Sequence, residues 1–315
     1  MQIIVRQSEG LGNQLFQYAA GRYLAKRCNA DLRIAFQMPR YTHVRGARRP
    51  ILIHKFAIAA QTGTATVLDR LVTSNKAQFA LPGRLVRALR KIQVMRQHIV
   101  QGAAPLLYLD HYPTGHLNES FPLNYDFKIA PDVRAIYLVG YWQSYLMVQD
   151  VEVELRGEFS LVEPPSKRTL EIAAAIRAAS NPVSVHVRRG DYLEAFGKNA
   201  LLPLAYYDLA ARFMMNRLGD AACFVFSDDV AFAKEWTRGK ARTVVVDHND
   251  ADSAHEDLWL MSLCRHHIIA NSSFSWWGAW LNPSKSKLVV APSNWLGFET
   301  RRTAIAPAEW ILIDA

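Results

Sequence analysis

The chain has 315 residues, 50% of them hydrophobic, 21% charged and 11% aromatic, with a formal net charge of +9. That length gives two ordinary domains or one large one, and the apolar share is ample for buried cores, which excludes a low-complexity or disordered chain. The basic balance fits an anionic substrate, nucleic acid or an anionic membrane surface, but the aromatics are not interleaved with the basic residues and no helix-turn-helix or zinc-finger spacing occurs, which weighs against nucleic acid.

Cys28, Cys223 and Cys264 are far apart, odd in number and without CxxC spacing. They read as reduced thiols of a cytoplasmic protein. The N-terminal apolar run is too short for a signal peptide. No run approaches the ~18 apolar residues of a membrane span, so any membrane contact is expected to be peripheral, at the inner membrane.

Ile3, Ile4 and Val5 predict a short buried strand, followed by the turn Ser8-Glu9-Gly10-Leu11-Gly12-Asn13-Gln14. Leu15, Phe16, Tyr18, Ala19, Tyr23 and Leu24 recur at helical spacing up to about Cys28, with Asn13 as the expected N-cap. Leu32, Ile34 and Phe36 alternate in the next strand. The glycine turn is a place where backbone amides can meet an anion or a sugar. It has neither the GxGxxG pattern nor the Lys and Ser/Thr of a P-loop, so a tight turn before a packed helix is the alternative.

Between residues 40 and 110 the pattern is weaker. Arg45, Arg48 and Arg49 mark a basic loop. Arg84 to Met95 reads as a basic amphipathic helix, with Arg84, Arg87, Arg90 and Lys91 opposite Leu85, Leu89 and Ile92. It suits an anionic acceptor, a membrane surface or a plain solvated face. Ile136 to Trp142 predicts a strand running into Gly140, Tyr141, Trp142, Gln143 and Ser144. Aromatics with an amide there suit a sugar-binding wall, and equally an aromatic core strand closed by a turn. Glu163-Pro164-Pro165-Ser166 is the linker: the prolines stop the preceding helix and Ser166 can cap the next. The expected domains are therefore 1–163 and 164–315.

Past the linker, helices are expected at 167–178, 204–218, 230–236, 253–264 and 274–281. They alternate with strands at 183–187, 223–226, 243–246, 268–270 and 288–291, a pattern that predicts an α/β fold with a doubly wound parallel sheet. A final strand is expected at Glu309–Asp314, and the sequence leaves open whether it returns to the first domain. Three strand ends carry polar loops: His186 with Arg188-Arg189-Gly190-Asp191, then Ser227-Asp228-Asp229, then Asn271-Ser272-Ser273-Phe274-Ser275. Ligands of open parallel sheets bind outside the carboxyl ends of the strands. Arginine forks suit a pyrophosphate, a carboxylate suits the donors of a guanine edge, and serines at a helix start suit phosphate oxygens. Gly190 is expected to let the turn approach a ligand closely. Each loop alone could be a cap or a surface turn; three on one sheet edge predict a nucleoside-diphosphate site.

These same residues carry a resemblance. GLGNQLFQYAAGRYLA at 10–25, GYWQS at 140–144, HVRRGDYL at 186–193, FSDD at 226–229 and IIANSSFSWWGAWLN at 268–282 resemble glycosyltransferase family 11, the α-1,2-fucosyltransferases, in their compact bacterial form. The resemblance implies a GT-B-like pair of Rossmann-type domains with the nucleotide-sugar site in the cleft between them. It also implies GDP-fucose as donor, inversion at the anomeric carbon, no metal and no other cofactor. By that similarity Arg188 holds the pyrophosphate and leaving oxygen. His186 and Asp228 or Asp229 lie near the guanosine, Ser272 to Ser275 face the phosphates, and Gly12 and Asn13 approach from the N-terminal domain. The implied acceptor is a galactose-containing glycan, with Trp142 and Gln143 on the acceptor side.

Breaking the bond from the anomeric carbon to phosphate builds charge on GDP, which fixed cations can take up as well as a metal. Arg188, with Arg189, meets that need. Asp191 is the nearest candidate base for the acceptor hydroxyl and equally a structural partner of either arginine; Glu9 is a weaker candidate, and Tyr192 is expected to pack. Asp250-Ala251-Asp252 formally matches the DxD metal signature but lies in a polar loop before a helix, where carboxylates favour the N-terminus. His266-His267 lies at the start of a strand, the wrong edge for the ligand, so core or solvated histidines are expected. Trp276, Trp277 and Trp280 are expected to pack their helix. The rival functions are a fucosyltransferase of α-1,6 or α-1,3 linkage and a non-catalytic nucleotide- or polyanion-binding protein.

Overall fold

Short apolar runs become buried parallel strands in two places along the chain. The computed structural model describes residues 1–36, 41–44, 47–64, 98–100, 106–111, 129, 133–190, 201–295, 298–299 and 305–314. It divides into two units, Met1–Thr42 with Arg48–Ser160, and His43–Ala47 with Leu161–Ala315. The expected basic helix 84–95, Arg45, Asp191 and Tyr192 lie outside the described residues.

The elements up to Ser160 are β1 (Gln2–Arg6), α1 (Leu11–Cys28), β2 (Asp31–Phe36), β3 (Tyr41–Val44), β4 (Ala47–Pro50), β5 (Gln61–Thr64), β6 (His98–Val100), β7 (Leu106–His111), β8 (Ala135–Gly140), α2 (Tyr145–Asp150) and α3 (Glu152–Glu158). The sheet of the first unit runs β5-β2-β1-β8-β7-β6. It is parallel except for the antiparallel pair β6–β7. Helix α1 starts two residues before the expected cap. Burial of Leu11 draws it forward, so Gly10 takes the N-cap position and Asn13 lies inside the first turn. Among the buried polar groups, the Tyr18 hydroxyl donates to Glu158 at 2.6 Å, and Arg22 pairs with the same carboxylate at 2.8 Å.

In the second unit follow α4 (Lys167–Ala178), β9 (Pro182–Val187), α5 (Leu204–Leu218), β10 (Ala222–Ser227), α6 (Val230–Thr237), β11 (Thr243–Val246), α7 (Ala254–Leu263), β12 (His266–Ile268), α8 (Ser273–Leu281), β13 (Val289–Pro292), β14 (Asn294–Trp295), β15 (Phe298–Glu299) and β16 (Ile311–Ile313). The main sheet, β11-β10-β9-β12-β13-β16, is parallel throughout. The terminal strand therefore stays in the second unit. Ser166 caps α4 as expected, accepting from the Thr169 amide at 3.3 Å.

Every residue of β9 is buried, and its alternation sorts the two faces. Val183, Val185 and Val187 meet Tyr206, Tyr207, Ala210 and Met214 of α5 and Ala233 of α6. Each of the buried valines and Met214 contributes roughly 1.5–3 kcal/mol. The opposite face packs Phe224, Phe226 and Val246 under Ile172 and Ile176 of α4 and Leu260 and Met261 of α7. Strand β12 begins two residues earlier than expected, because His266 and His267 themselves pair with β9. Both histidines are buried: His267 Nδ1 lies 2.8 Å from the Ser184 hydroxyl, and His266 Nδ1 accepts from the Leu288 amide at 3.0 Å. Burial holds both rings below the usual histidine range, so they are neutral core residues.

Among the described residues no helix is long and apolar enough to cross a membrane. The three cysteines are free thiols, and burial raises the pKa of each.

Candidate active site

The carboxyl end of β9 delivers Arg188, Arg189 and Gly190, and the neighbouring end of β10 delivers Ser227, Asp228 and Asp229. Register places Val187 opposite Ser227, so the two turns leave the sheet side by side. The Ser227 hydroxyl locks them together: it donates to the Val187 carbonyl at 2.8 Å and accepts from the Asp229 amide at 3.0 Å.

Two ion pairs follow in sequence across this lock. Arg188 Nε lies 3.2 Å from Asp228 Oδ2, and Arg189 Nε lies 3.5 Å from Asp229 Oδ2. Asp228 Oδ1 also accepts from the Arg189 backbone amide at 2.8 Å. Asp229 is the N-cap of α6, its Oδ1 accepting from the Phe232 amide at 3.0 Å. The Arg189 guanidinium carbon lies over the Phe232 ring, 3.7 Å from its centroid.

Gly190 stands against the Asp228 carboxylate. Its φ lies outside the left-handed region; a Cβ there would meet Asp228 Oδ2 at 3.2 Å and Cγ at 3.3 Å. The space is reserved for the carboxylate.

The third loop opens α8. His186 is buried on the strand, and its ring sits 5.6 Å from that of Phe274. Asn271, Ser272 and Ser275 are also buried, with Ser275 donating to the Ser272 carbonyl at 3.3 Å. The helix is seated by its tryptophans. Trp276 meets Trp277 at 4.9 Å and Trp310 at 5.6 Å, and its indole N–H donates to the Ile305 carbonyl. Gly278 lets it press on α7: a Cβ there would lie 2.8 Å from Met261 Cβ. The structure thus links His186 to Phe274 and joins the two arginines to the two aspartates.

The first unit has its own polar cluster, at the ends of β1 and β8. The Gln143 amide donates to Asn13 Oδ1 at 2.7 Å, beside the buried Gly12. Gln17 spans both turns, donating to the Gly140 carbonyl at 2.9 Å and accepting from the Ser8 amide at 3.1 Å. Gln14 donates to Glu9 and Pro50 carbonyls at 2.8 Å each. These contacts hold two non-glycine residues in the left-handed region, Glu9 at φ 68° and Trp142 at φ 53°. Such strain persists only where surroundings enforce it. Trp142 is 2% exposed, with its indole N–H on the Val139 carbonyl at 2.9 Å, so it is a core residue and offers no open sugar-binding face.

Sequence reasoning passed over one cluster, at the end of β11 and the start of α7. Glu256 Oε2 accepts from the Ser166 hydroxyl at 2.8 Å and the Thr169 hydroxyl at 2.5 Å, and Thr169 Oγ1 lies 2.8 Å from His248 Nε2. Asp257 next to it accepts from the Asn249 amide at 2.7 Å. Burial, reinforced by the charges of Glu256 and Asp250, pushes its carboxyl up to about 7. The only sequence signal was acidic residues at a helix start, which capping explains as well.

The DxD match resolves into a turn. Asp250 Oδ1 accepts from the Asp252 amide, the Ser253 amide and the Ser253 hydroxyl at 3.0, 3.0 and 2.8 Å. Among the described residues no three His, Cys, Asp or Glu side chains group as metal ligands.

The model of the family described as "Glycosyl transferase family 11" matches residues 121–314. An Escherichia coli alpha-1,2-colitosyltransferase is 30% identical over 99% of this chain and 99% of its own length. Galactoside alpha-(1,2)-fucosyltransferase 2 of Sus scrofa is 26% identical over 64% of this chain and 61% of its own. Among solved structures, a mutant of Arabidopsis thaliana FUT1 in complex with GDP superposes with a TM-score of 0.50 at 12% identity, covering 96% of this chain and 71% of that one, a likeness of fold.

Proposed function

The chain belongs to glycosyl transferase family 11, and from that premise we propose that it moves L-fucose from GDP-fucose to a glycan hydroxyl, the 2-hydroxyl of a terminal β-galactoside, with inversion and without a metal. The observation that carries this reading is the pair of arginines fixed by successive aspartates at the carboxyl edge of the second sheet. As the bond from the anomeric carbon to the phosphate oxygen breaks, the sugar becomes oxocarbenium-like and GDP departs with added negative charge. Arg188 meets that charge as a preorganised donor. Asn271, Ser272, Ser273 and Ser275, at the start of α8, hold phosphate oxygens through hydroxyls and backbone amides. His186 with Phe274 borders the nucleoside. Asp191 takes the proton from the acceptor hydroxyl as the new bond to carbon forms.

In this reading Gly12 and Asn13 of the first unit belong to the donor side, and Gln143, hydrogen-bonded to Asn13, belongs to the acceptor side. The acceptor is a galactose-containing surface glycan, and the enzyme works in the cytoplasm with at most peripheral contact to the inner membrane. The fixed guanidiniums support metal independence, and so does the turn that engages Asp250.

A second reading is favoured by the E. coli relative: the donor sugar is colitose, which is L-fucose without its 3-hydroxyl. A site that hydrogen-bonds that hydroxyl rejects the deoxy sugar strongly, whereas an apolar site discriminates weakly. Incubation with GDP-fucose and GDP-colitose, galactose-ended acceptors and excess EDTA, followed by NMR of the product, tests both. Fucose linked α-1,2 supports the first reading; exclusive use of GDP-colitose replaces it with the second; no transfer from either donor overturns both.

A further inference from the structure

Asp228 makes two contacts of different kinds with one turn. Its Oδ1 fixes backbone, accepting from the Arg189 amide at 2.8 Å, while its Oδ2 fixes a side chain, lying 3.2 Å from Arg188 Nε. The carboxylate is itself held in place, since the preceding Ser227 is bolted to the Val187 carbonyl at 2.8 Å and the following amide closes back on Ser227 at 3.0 Å. On its remaining side stands Gly190, where any Cβ would crowd Oδ2 at 3.2 Å. A carboxylate engaged in this way by the turn of the neighbouring strand is poorly placed to read a purine edge. It is well placed to set the direction of a guanidinium.

We propose that Asp228 is a positioning residue: it aims Arg188 at the leaving diphosphate and does not recognise the nucleobase. This rests on the reading of Arg188 as the group that meets the diphosphate. The physical need is clear. A long side chain left to sample its rotamers loses most of its value as a transition-state donor, because the geometry must hold to within a fraction of an ångström. Asp228 and Gly190 form one device, the first supplying the anchor and the second the room for it. Arg189 is braced differently, on Phe232 and Asp229, and steadies the same turn from the far side.

The test is a double-mutant cycle on the full-length protein. Asp228→Asn, Arg188→Ala and the pair are compared for kcat, donor KM and GDP affinity by calorimetry, with thermal melting as the folding control. We expect Asp228→Asn to lower kcat at least 10-fold while GDP affinity changes less than 3-fold, and to cost nothing further once Arg188 is already Ala. Gly190→Ala, which displaces the same carboxylate from the other side, should show the same kcat effect; it carries the test if Asp228→Asn does not fold. Asp228→Glu should restore little, because the added methylene moves both oxygens. A 10-fold or greater loss of GDP affinity in Asp228→Asn, persisting in the Arg188→Ala background and accompanied by relaxed preference for GDP over ADP, overturns the proposal in favour of base recognition. Failure of the wild type to bind GDP is a separate result that removes the functional reading and the inference with it.

Discussion

The Arg189 guanidinium sits 3.7 Å over the centroid of the Phe232 ring, on the helix whose N-cap, Asp229, also faces Arg189. Arg188 instead faces Asp228, so two adjacent residues of like chemistry have different surroundings. The consequence is a division of roles. Arg188→Ala is expected to leave a folded protein whose turnover falls by ~10² or more, the effect of losing one strong transition-state donor. Arg189→Ala is expected to cost about 1 kcal/mol of stability with a smaller loss of turnover. Urea unfolding together with initial rates separates the two; equal kinetic losses at equal stability would refute the division.

Gly278→Ala is predicted to destabilise the second unit by ~1–3 kcal/mol, as overpacking does. The new methyl meets Met261 Cβ, so trimming Met261 to Ala does not relieve the clash. Denaturant midpoints of the single and double variants check this.

Asp257 gives a pH signature. Its carboxyl is raised to about 7 by burial, against an unfolded value near 4. Below ~pH 4 both states are protonated and nothing is lost; between there and about 7 the native state binds more protons, so stability falls as pH rises, then levels off. Asp257→Asn lacks that slope. It should match wild type near pH 4 and exceed it at pH 8 by on the order of 1–2 kcal/mol, allowing for solvent screening. Unfolding curves at three pH values decide.

Asp250 behaves oppositely. The hydroxyl and amide of Ser253 hold its carboxyl below the usual range, so its contribution is present above pH ~4 and is lost on acidification. Asp250→Ala should shift the acid limb of stability while activity in EDTA stays at the wild-type level. Loss of activity that added Mn²⁺ or Mg²⁺ restores in wild type alone would return the DxD match to a metal role.

Trp142 and Gln143 show where pattern reading stops. Both lie at a strand end, and alternation places the end well. It does not say which way the chain bends there: the left-handed φ of Trp142 folds the indole back into the core, while Gln143 turns to Asn13. The α1 start shows the same limit. Asn13 has the chemistry of a cap, but burial of Leu11 outweighs it.

The alternation of strands and helices beyond Ser166 and the three polar strand ends were legible in residue order alone. Those depend on local periodicity and on residue chemistry, which need no partner. Folding in three dimensions was needed to show that Arg188 and Arg189 face different aspartates, that Gly190 makes room for a carboxylate, and that burial raises the Asp257 carboxyl pKa. Each of these depends on groups from separate strands or helices meeting at a fixed distance, and short-range sequence spacing carries no record of such distances.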